Sequence, residues 1–184
     1  MRTSRDVYLE ALDDLTGGGG KVFNIHDNGG ADSVLVASYE GVPEELHTTA
    51  FSFGLSSADH EEWRLGKPEL MTSVKSTDES WGLCMGEIVR NYRADSLFEY
   101  GTILHFRQRI ADDCPMTSFF IFASSLLDKE QQCIVLPDRR VNIAQMYPIF
   151  EQEAGLVRDI GVERFFFDLK IDFFDLARPC VVRN

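Results

Sequence analysis

Residues 47–56 read His-Thr-Thr-Ala-Phe-Ser-Phe-Gly-Leu-Ser, or HTTAFSFGLS. From Thr48 to Leu55 the β-branched and aromatic residues predict a buried strand. Gly54 is expected to allow a bend or a close backbone approach at the strand end, because Phe53 and Leu55 cannot share its face. Ser56, followed by Ser57, is placed to cap a turn. Working outward, Ser33 to Tyr39 (SVLVASY) predicts a buried strand that Gly41 and Pro43 punctuate. Downstream, Glu69 to Lys75 alternates Leu70, Thr72 and Val74 against Met71, Ser73 and Lys75, as a strand does.

Helices flank these strands. Val7, Ala11, Leu12 and Leu15 recur at one-face spacing after a capping Ser4, and the Gly17–Gly20 run stops that helix. The Gly-, Asn- and Asp-rich stretch from Gly17 to Ala31 predicts a mobile loop around a short Val22 to Ile25 segment. Thr77 or Asp78 is expected to cap a helix with Trp81, Met85, Ile88, Val89 and Tyr92 in its apolar stripe. Further strands are predicted at Thr102 to Arg107, Thr117 to Ser124, Cys133 to Leu136 and Val141 to Met146, the last entered through a Pro137-Asp138 turn. Asp112 to Pro115 also predicts a turn. Pro148 is expected to open a final helical region that Gly161 divides. Helix, strands, helix, strands, helix is an α+β order: a mixed, largely antiparallel sheet packed with helices, an α/β sandwich. One domain over residues 1–184 is expected, with 1–31 as helix and Gly-rich loop leading into a core over about 32–175.

The chain has 184 residues, with 18 Lys+Arg against 30 Asp+Glu and a formal charge of −12. A sequence pI near 4.7 argues against nucleic acid as a partner, since phosphate binding needs clustered Lys and Arg. No apolar run is long enough to span a bilayer, and the N-terminus lacks the apolar segment of a secretory signal. Cys84, Cys114, Cys133 and Cys180 form no CxxC pair, so buried, reduced thiols in a cytoplasmic protein are expected. Three quarters of the charge excess lies in residues 1–92, where 7 bases meet 16 acids. Between Glu40 and Trp63 there is no Lys or Arg, while Glu40, Glu44, Glu45, Asp59, Glu61 and Glu62 are present. They are either solvated loops or a docking face for a basic partner, because a one-sign patch speeds encounter. His47, beside them, is either a buried hydrogen-bonding side chain or a partner contact.

Catalytic and cofactor motifs are not encoded. Gly20-Lys21 is followed by Val22, where a phosphate loop needs Ser or Thr. Neither Gly17-x-Gly19 nor Gly18-x-Gly20 meets a third glycine at dinucleotide-fold spacing. His60-Glu61-Glu62 begins like a zinc-protease helix, but Arg64 takes the second histidine's place. No cofactor and no metal is expected. Phe165-Phe166-Phe167 would span about 200° of a helix. Either the segment is buried all round, which is the expectation, or one ring is exposed for a partner.

HTTAFSFGLS resembles the H-x-x-x-x-S-F-G-L-S segment of the Suppressor of fused (SUFU) family, and Glu69-Leu70 resembles that family's E-L strand. The helix with Trp81 near its start keeps the order of elements. Pro148-Ile149-Phe150-x-x-Glu153 is similar to the P-[IL]-[YF]-x-x-E stretch of bacterial members. Two departures stand out. The glycine-rich approach to E-L is reduced to Arg64-Leu65-Gly66-Lys67-Pro68, and the chain is too short for the second lobe with which the animal protein clamps its partner. The resemblance implies a SUFU-like protein-binding domain without catalysis. Small bacterial versions resemble immunity proteins, which implies a toxin-neutralising role against a basic toxin domain. Two other expectations are kept: an adaptor that takes an extended peptide at a sheet edge, and an enzyme with a spatially assembled site.

Overall fold

Alternating apolar side chains that face opposite sides of one sheet organise the molecule. The structure is a computed structural model that describes residues 2–26, 33–63, 66–112 and 114–182. The expected loop over 27–31, Arg64-Leu65 of the approach to Glu69, and Asp113 of the expected turn lie outside the described residues. The elements are α1 (Ser4–Thr16), β1 (Lys21–Ile25), β2 (Val34–Glu40), β3 (Thr48–Phe53), a 3-10 turn (Leu55–Ser57) and β4 (Lys67–Val74). Then follow α2 (Ser80–Tyr92), β5 (Ile103–His105), β6 (Ser118–Phe122), β7 (Cys133–Val135), β8 (Arg140–Ile149), α3 (Glu151–Ile160) and α4 (Val162–Asp168).

The strands form one sheet in the order β1-β2-β3-β4-β8-β6-β5, with β7 also paired to β8. Only β4 and β8 run parallel, so the expected mixed, largely antiparallel sheet is present. On one face, α2 sets Trp81, Met85, Ile88 and Val89 against Val36, Ala50, Leu70, Ile121 and Met146. On the other, α1 sets Tyr8 and Leu12 against Ala37, Phe51, Met71 and Ile143. Farther along that second face, α3 and α4 bury Phe120, Tyr147 and Ile149 under Val157 and Phe165. Strands covered on both faces read as continuous apolar runs, which is why SFFIF is buried throughout.

Helix α2 lies close to the sheet because two of its positions have no side chain. A Cβ at Gly86 would stand 2.6 Å from Val36 Cγ2 and 2.8 Å from Ile25 Cγ1. Gly86→Ala should therefore destabilise the fold by about 1–3 kcal/mol despite alanine's better helix propensity. Thermal unfolding checks this; a variant as stable as the parent would show that α2 can shift freely.

Several local expectations need correction. The short Val22 to Ile25 segment expected within a mobile loop is an edge strand, Lys21–Ile25, paired to β2, since Ile25 and half-buried Phe23 join the α2 core. Thr3, not Ser4, is the α1 N-cap, with Asp6 closing a capping box, and the Ser4 hydroxyl donates to Asp138 Oδ1 at 2.5 Å. The N-cap of α2 is Glu79, with no side-chain cap bond, while Asp78 Oδ1 accepts from Ser80 N at 2.9 Å. Pro148 continues β8 opposite Phe119 rather than opening a helix. The Met146 carbonyl accepts from Thr72 Oγ1 of β4. Pro148, two residues on, therefore aims its N side past the end of the β4 pairing, where no ladder bond is lost. The three phenylalanines do not share one burial: Phe165 is buried, Phe166 half-buried and Phe167 66% exposed, as a 200° spread on a surface helix requires.

Candidate functional site

Most side chains with reactive potential are engaged in holding the fold. Glu69 of β4 is fully buried. Its Oε1 accepts from Gly54 N at 2.8 Å, Ser56 N at 2.9 Å and Ser56 Oγ at 2.7 Å. Its Oε2 accepts from Ser52 Oγ at 2.6 Å and Leu55 N at 3.3 Å. Gly54 makes this convergence feasible: its φ of 133° is one that L side chains rarely adopt, and it turns successive N–H groups toward one carboxylate. HTTAFSFGLS and the downstream Glu69 are thus two halves of one buried anion nest. Arg139 Nε donates to Ser56 Oγ at 3.0 Å and ties the nest to the β7–β8 hairpin.

Glu153 does the same for the C-terminal part of the chain. It is fully buried at the start of α3, where Phe150 N donates to its Oε2 at 3.1 Å. Arg178 grips it with two parallel bonds, Nη1 to Oε1 and Nη2 to Oε2, both 2.7 Å. Val181 N adds a bond to Oε1 at 3.0 Å, and the guanidinium lies over the rings of Phe150 and Phe173. Arg178 and Arg139 were missed in the sequence reading, since no local spacing links either to its partner. The available signal was a glutamate inside an apolar strand and another in a first helical turn, each needing donors if buried.

His105, Ser118 and Glu151 meet, yet not as a relay. Ser118 Oγ donates to Glu151 Oε2 at 2.5 Å, while His105 Nδ1 lies 3.1 Å from both Ser118 Oγ and Glu151 Oε2. One ring nitrogen faces both partners, whereas a catalytic triad places them on opposite nitrogens. The Ser118 hydroxyl, then His105, holds the Glu151 carboxyl below its usual range. Burial pushes the Cys84 thiol far up, away from the reactive thiolate. Cys84 and Cys114 are buried, Cys133 and Cys180 half-buried, and all four are free thiols. Among the described residues no group of three or more His, Cys, Asp or Glu could hold a metal ion. Nor is any helix among them long and apolar enough to cross a membrane.

The acidic residues fall into two groups. Glu40 pairs with Thr48 in register, and Phe53 with Leu35, so the loops before and after β3 leave from opposite ends of that strand. Glu40, Glu44 and Glu45 therefore stand at one end, and Asp59, Glu61 and Glu62 at the other. Lys21 Nζ bridges Glu40 at 2.7 Å and Glu79 at 2.6 Å. At the far end Lys67 Nζ reaches Asp59 at 3.3 Å, and Asp59, His60 and Arg93 line a cavity of about 310 Å³. Glu44, Glu45, Glu61 and Glu62 are exposed and have no ion-pair partner among the described residues. His47 is 8% exposed; its Nδ1 is 3.4 Å from the Glu45 carbonyl and its ring faces Phe174 at 6.1 Å. This is the buried, hydrogen-bonding arrangement.

The sequence model of the Suppressor of fused protein (SUFU) family matches residues 30–179. No curated protein matches the chain. Among solved structures, a SUFU homologue from Neisseria gonorrhoeae FA 1090 superposes with a TM-score of 0.73 at 14% identity, covering 97% of this chain and 96% of that one. A chain of the Sufu–Fu complex gives 0.69 at 14% identity, over 96% and 91%. Drosophila Suppressor of Fused gives 0.64 at 14% identity, over 94% of this chain and 49% of that protein.

Proposed function

The chain belongs to the Suppressor of fused family, and from that premise we propose that it is a non-catalytic protein-binding domain whose acidic surface receives a basic protein partner. One observation carries the reading. The two motif glutamates are consumed by the fold, whereas Glu44, Glu45, Glu61 and Glu62 are exposed and unpaired among the described residues. Carboxylates kept without cations cost self-repulsion, and they speed and orient association with a positively charged surface. A neighbour of the same fold carries the name Sufu–Fu complex, which supports a protein as the partner class.

The finer reading is an immunity- or antitoxin-like protein of the bacterial cytoplasm. It occupies the basic face of a polymorphic toxin domain in a 1:1 complex. Glu40, Glu44, Glu45, Asp59, Glu61 and Glu62 are its candidate contacts, and His47 supports the Glu44–Glu45 loop from inside. Affinity capture from native cytosol with mass identification supplies the partner. Because the carboxylates sit at two ends of β3, Glu44→Lys/Glu45→Lys and Glu61→Lys/Glu62→Lys are to be measured separately. The end that docks should lose about tenfold or more in affinity, and added salt should weaken the complex in parallel. Unchanged affinity in both variants overturns the acidic surface.

A second reading, an adaptor for an extended peptide, draws on the outer side of β1, which has no strand neighbour among the described residues. Salt-insensitive binding of short peptides would favour it.

A further inference from the structure

We infer that a cavity at the Glu40–Thr48 end of the sheet seats an apolar side chain from a lysine- or arginine-flanked segment of a protein partner, an inference that rests on the protein-binding reading. The cavity measures about 350 Å³. Phe51 and Met71, neighbours across β3 and β4, line it together with Leu15 of α1, Val42 and Pro43 of the following loop, and Leu127. Its polar side chains are already satisfied. Thr16 Oγ1 donates to the Leu12 carbonyl at 2.8 Å, and Thr49 Oγ1 donates to the Val42 carbonyl at 2.7 Å. Neither threonine hydroxyl has a proton left for a ligand, whereas an apolar side chain gains burial against Leu15, Val42 and Leu127.

The surroundings select the flanks of that side chain. The loop that lines the cavity with Val42 and Pro43 continues into Glu44 and Glu45. Helix α1, which supplies Leu15, carries exposed Asp13 and Asp14 in its last turns and no basic residue there, so its negative dipole end is uncompensated. The same loop holds Leu46 at φ 67° with 59% of its surface exposed, a strained placement that keeps an apolar side chain outward. At this end Lys21 is already held between Glu40 and Glu79, which among the described residues leaves Glu44 and Glu45 without a cation beside the cavity.

The test is a titration of the ¹⁵N-labelled full chain with three synthetic peptides, KKLWLKK, KKSGSKK and EELWLEE. KKLWLKK should shift the amides of Thr16, Gly41, Thr49, Leu126 and Leu127 saturably, and bind at least tenfold more tightly than either of the others. Leu127→Lys, which puts a cation at the cavity, should weaken KKLWLKK at least tenfold while the rest of the spectrum is kept. If that variant does not fold, the comparison of the three peptides still decides. Equal binding of KKSGSKK or EELWLEE overturns the inference, as does absence of shifts at the cavity. Shifts confined to Asp59–Glu62 overturn the cavity and leave the protein-binding reading standing. That reading falls separately, when affinity capture from native cytosol yields no protein partner, and the acidic surface falls when neither pair of charge reversals weakens the captured complex.

Discussion

Replacing Glu69 by glutamine should lower stability by about 2–4 kcal/mol, and replacing it by alanine by about 4 kcal/mol or more. Glutamine keeps the shape and one acceptor oxygen, but it places an amide nitrogen where Ser52 Oγ and Leu55 N, or the Gly54 and Ser56 donors, now give their protons. Alanine strands the N–H groups of three consecutive buried residues at once, each costing about 1–3 kcal/mol when left unpaired. Ser56→Ala is the graded control: it removes one donor and the Arg139 contact and should cost about 1 kcal/mol. Urea denaturation reads the difference, since a loss of about 3 kcal/mol moves the midpoint by roughly 1.5 M at a slope of ~2 kcal/mol/M. A Glu69→Gln variant within about 1 kcal/mol of the parent would mean that the carboxylate does not organise the turn. In this chain HTTAFSFGLS and Glu69 act together to set the fold.

The strands at Val34–Glu40, Thr48–Phe53 and Lys67–Val74 were legible in the sequence from their β-branched and aromatic residues and, in the last, from the alternation of side chains. The edge strand Lys21–Ile25 was not, because an edge residue can be polar without penalty, and four of its five positions are not buried. Pro148 misled because its ring forbids a helix interior, while the structure places it in β8 opposite Phe119, beyond the last β4 pair, Met71–Gln145. The acidic residues were legible as a composition but not as a surface. Between Glu45 and Asp59 the chain crosses the whole length of β3, and sequence proximity there means spatial separation. The cavity was invisible in sequence, since Leu15, Val42, Phe51, Met71 and Leu127 come from five segments.

The other large effect should come from Arg178. Arg178→Met keeps an apolar stem between the Phe150 and Phe173 rings but leaves Glu153 buried without its cation, and should cost about 3–5 kcal/mol. The double variant Glu153→Gln/Arg178→Met buries no lone charge and should recover about 2 kcal/mol of that loss. It will not recover all of it, because Phe150 N and Val181 N still need an acceptor of the same geometry. The single variant also loosens a particular part of the molecule. Residues 170–182 are fastened by the Glu153–Arg178 pair and by the bond from Lys75 N to the Phe174 carbonyl at 2.8 Å, beyond the end of β4. Hydrogen exchange should therefore accelerate at Val181 and Lys75 before it does so in β3 or β4. The Phe174 ring faces His47, whose carbonyl accepts from Gly41 N at 2.8 Å and closes the loop that carries Glu44 and Glu45. Loosening the C-terminal segment should thus weaken partner binding at that loop without changing an acidic residue. Arg178→Met with unaltered protection at Val181 and stability within about 1 kcal/mol of the parent would break this chain of dependence at its first link.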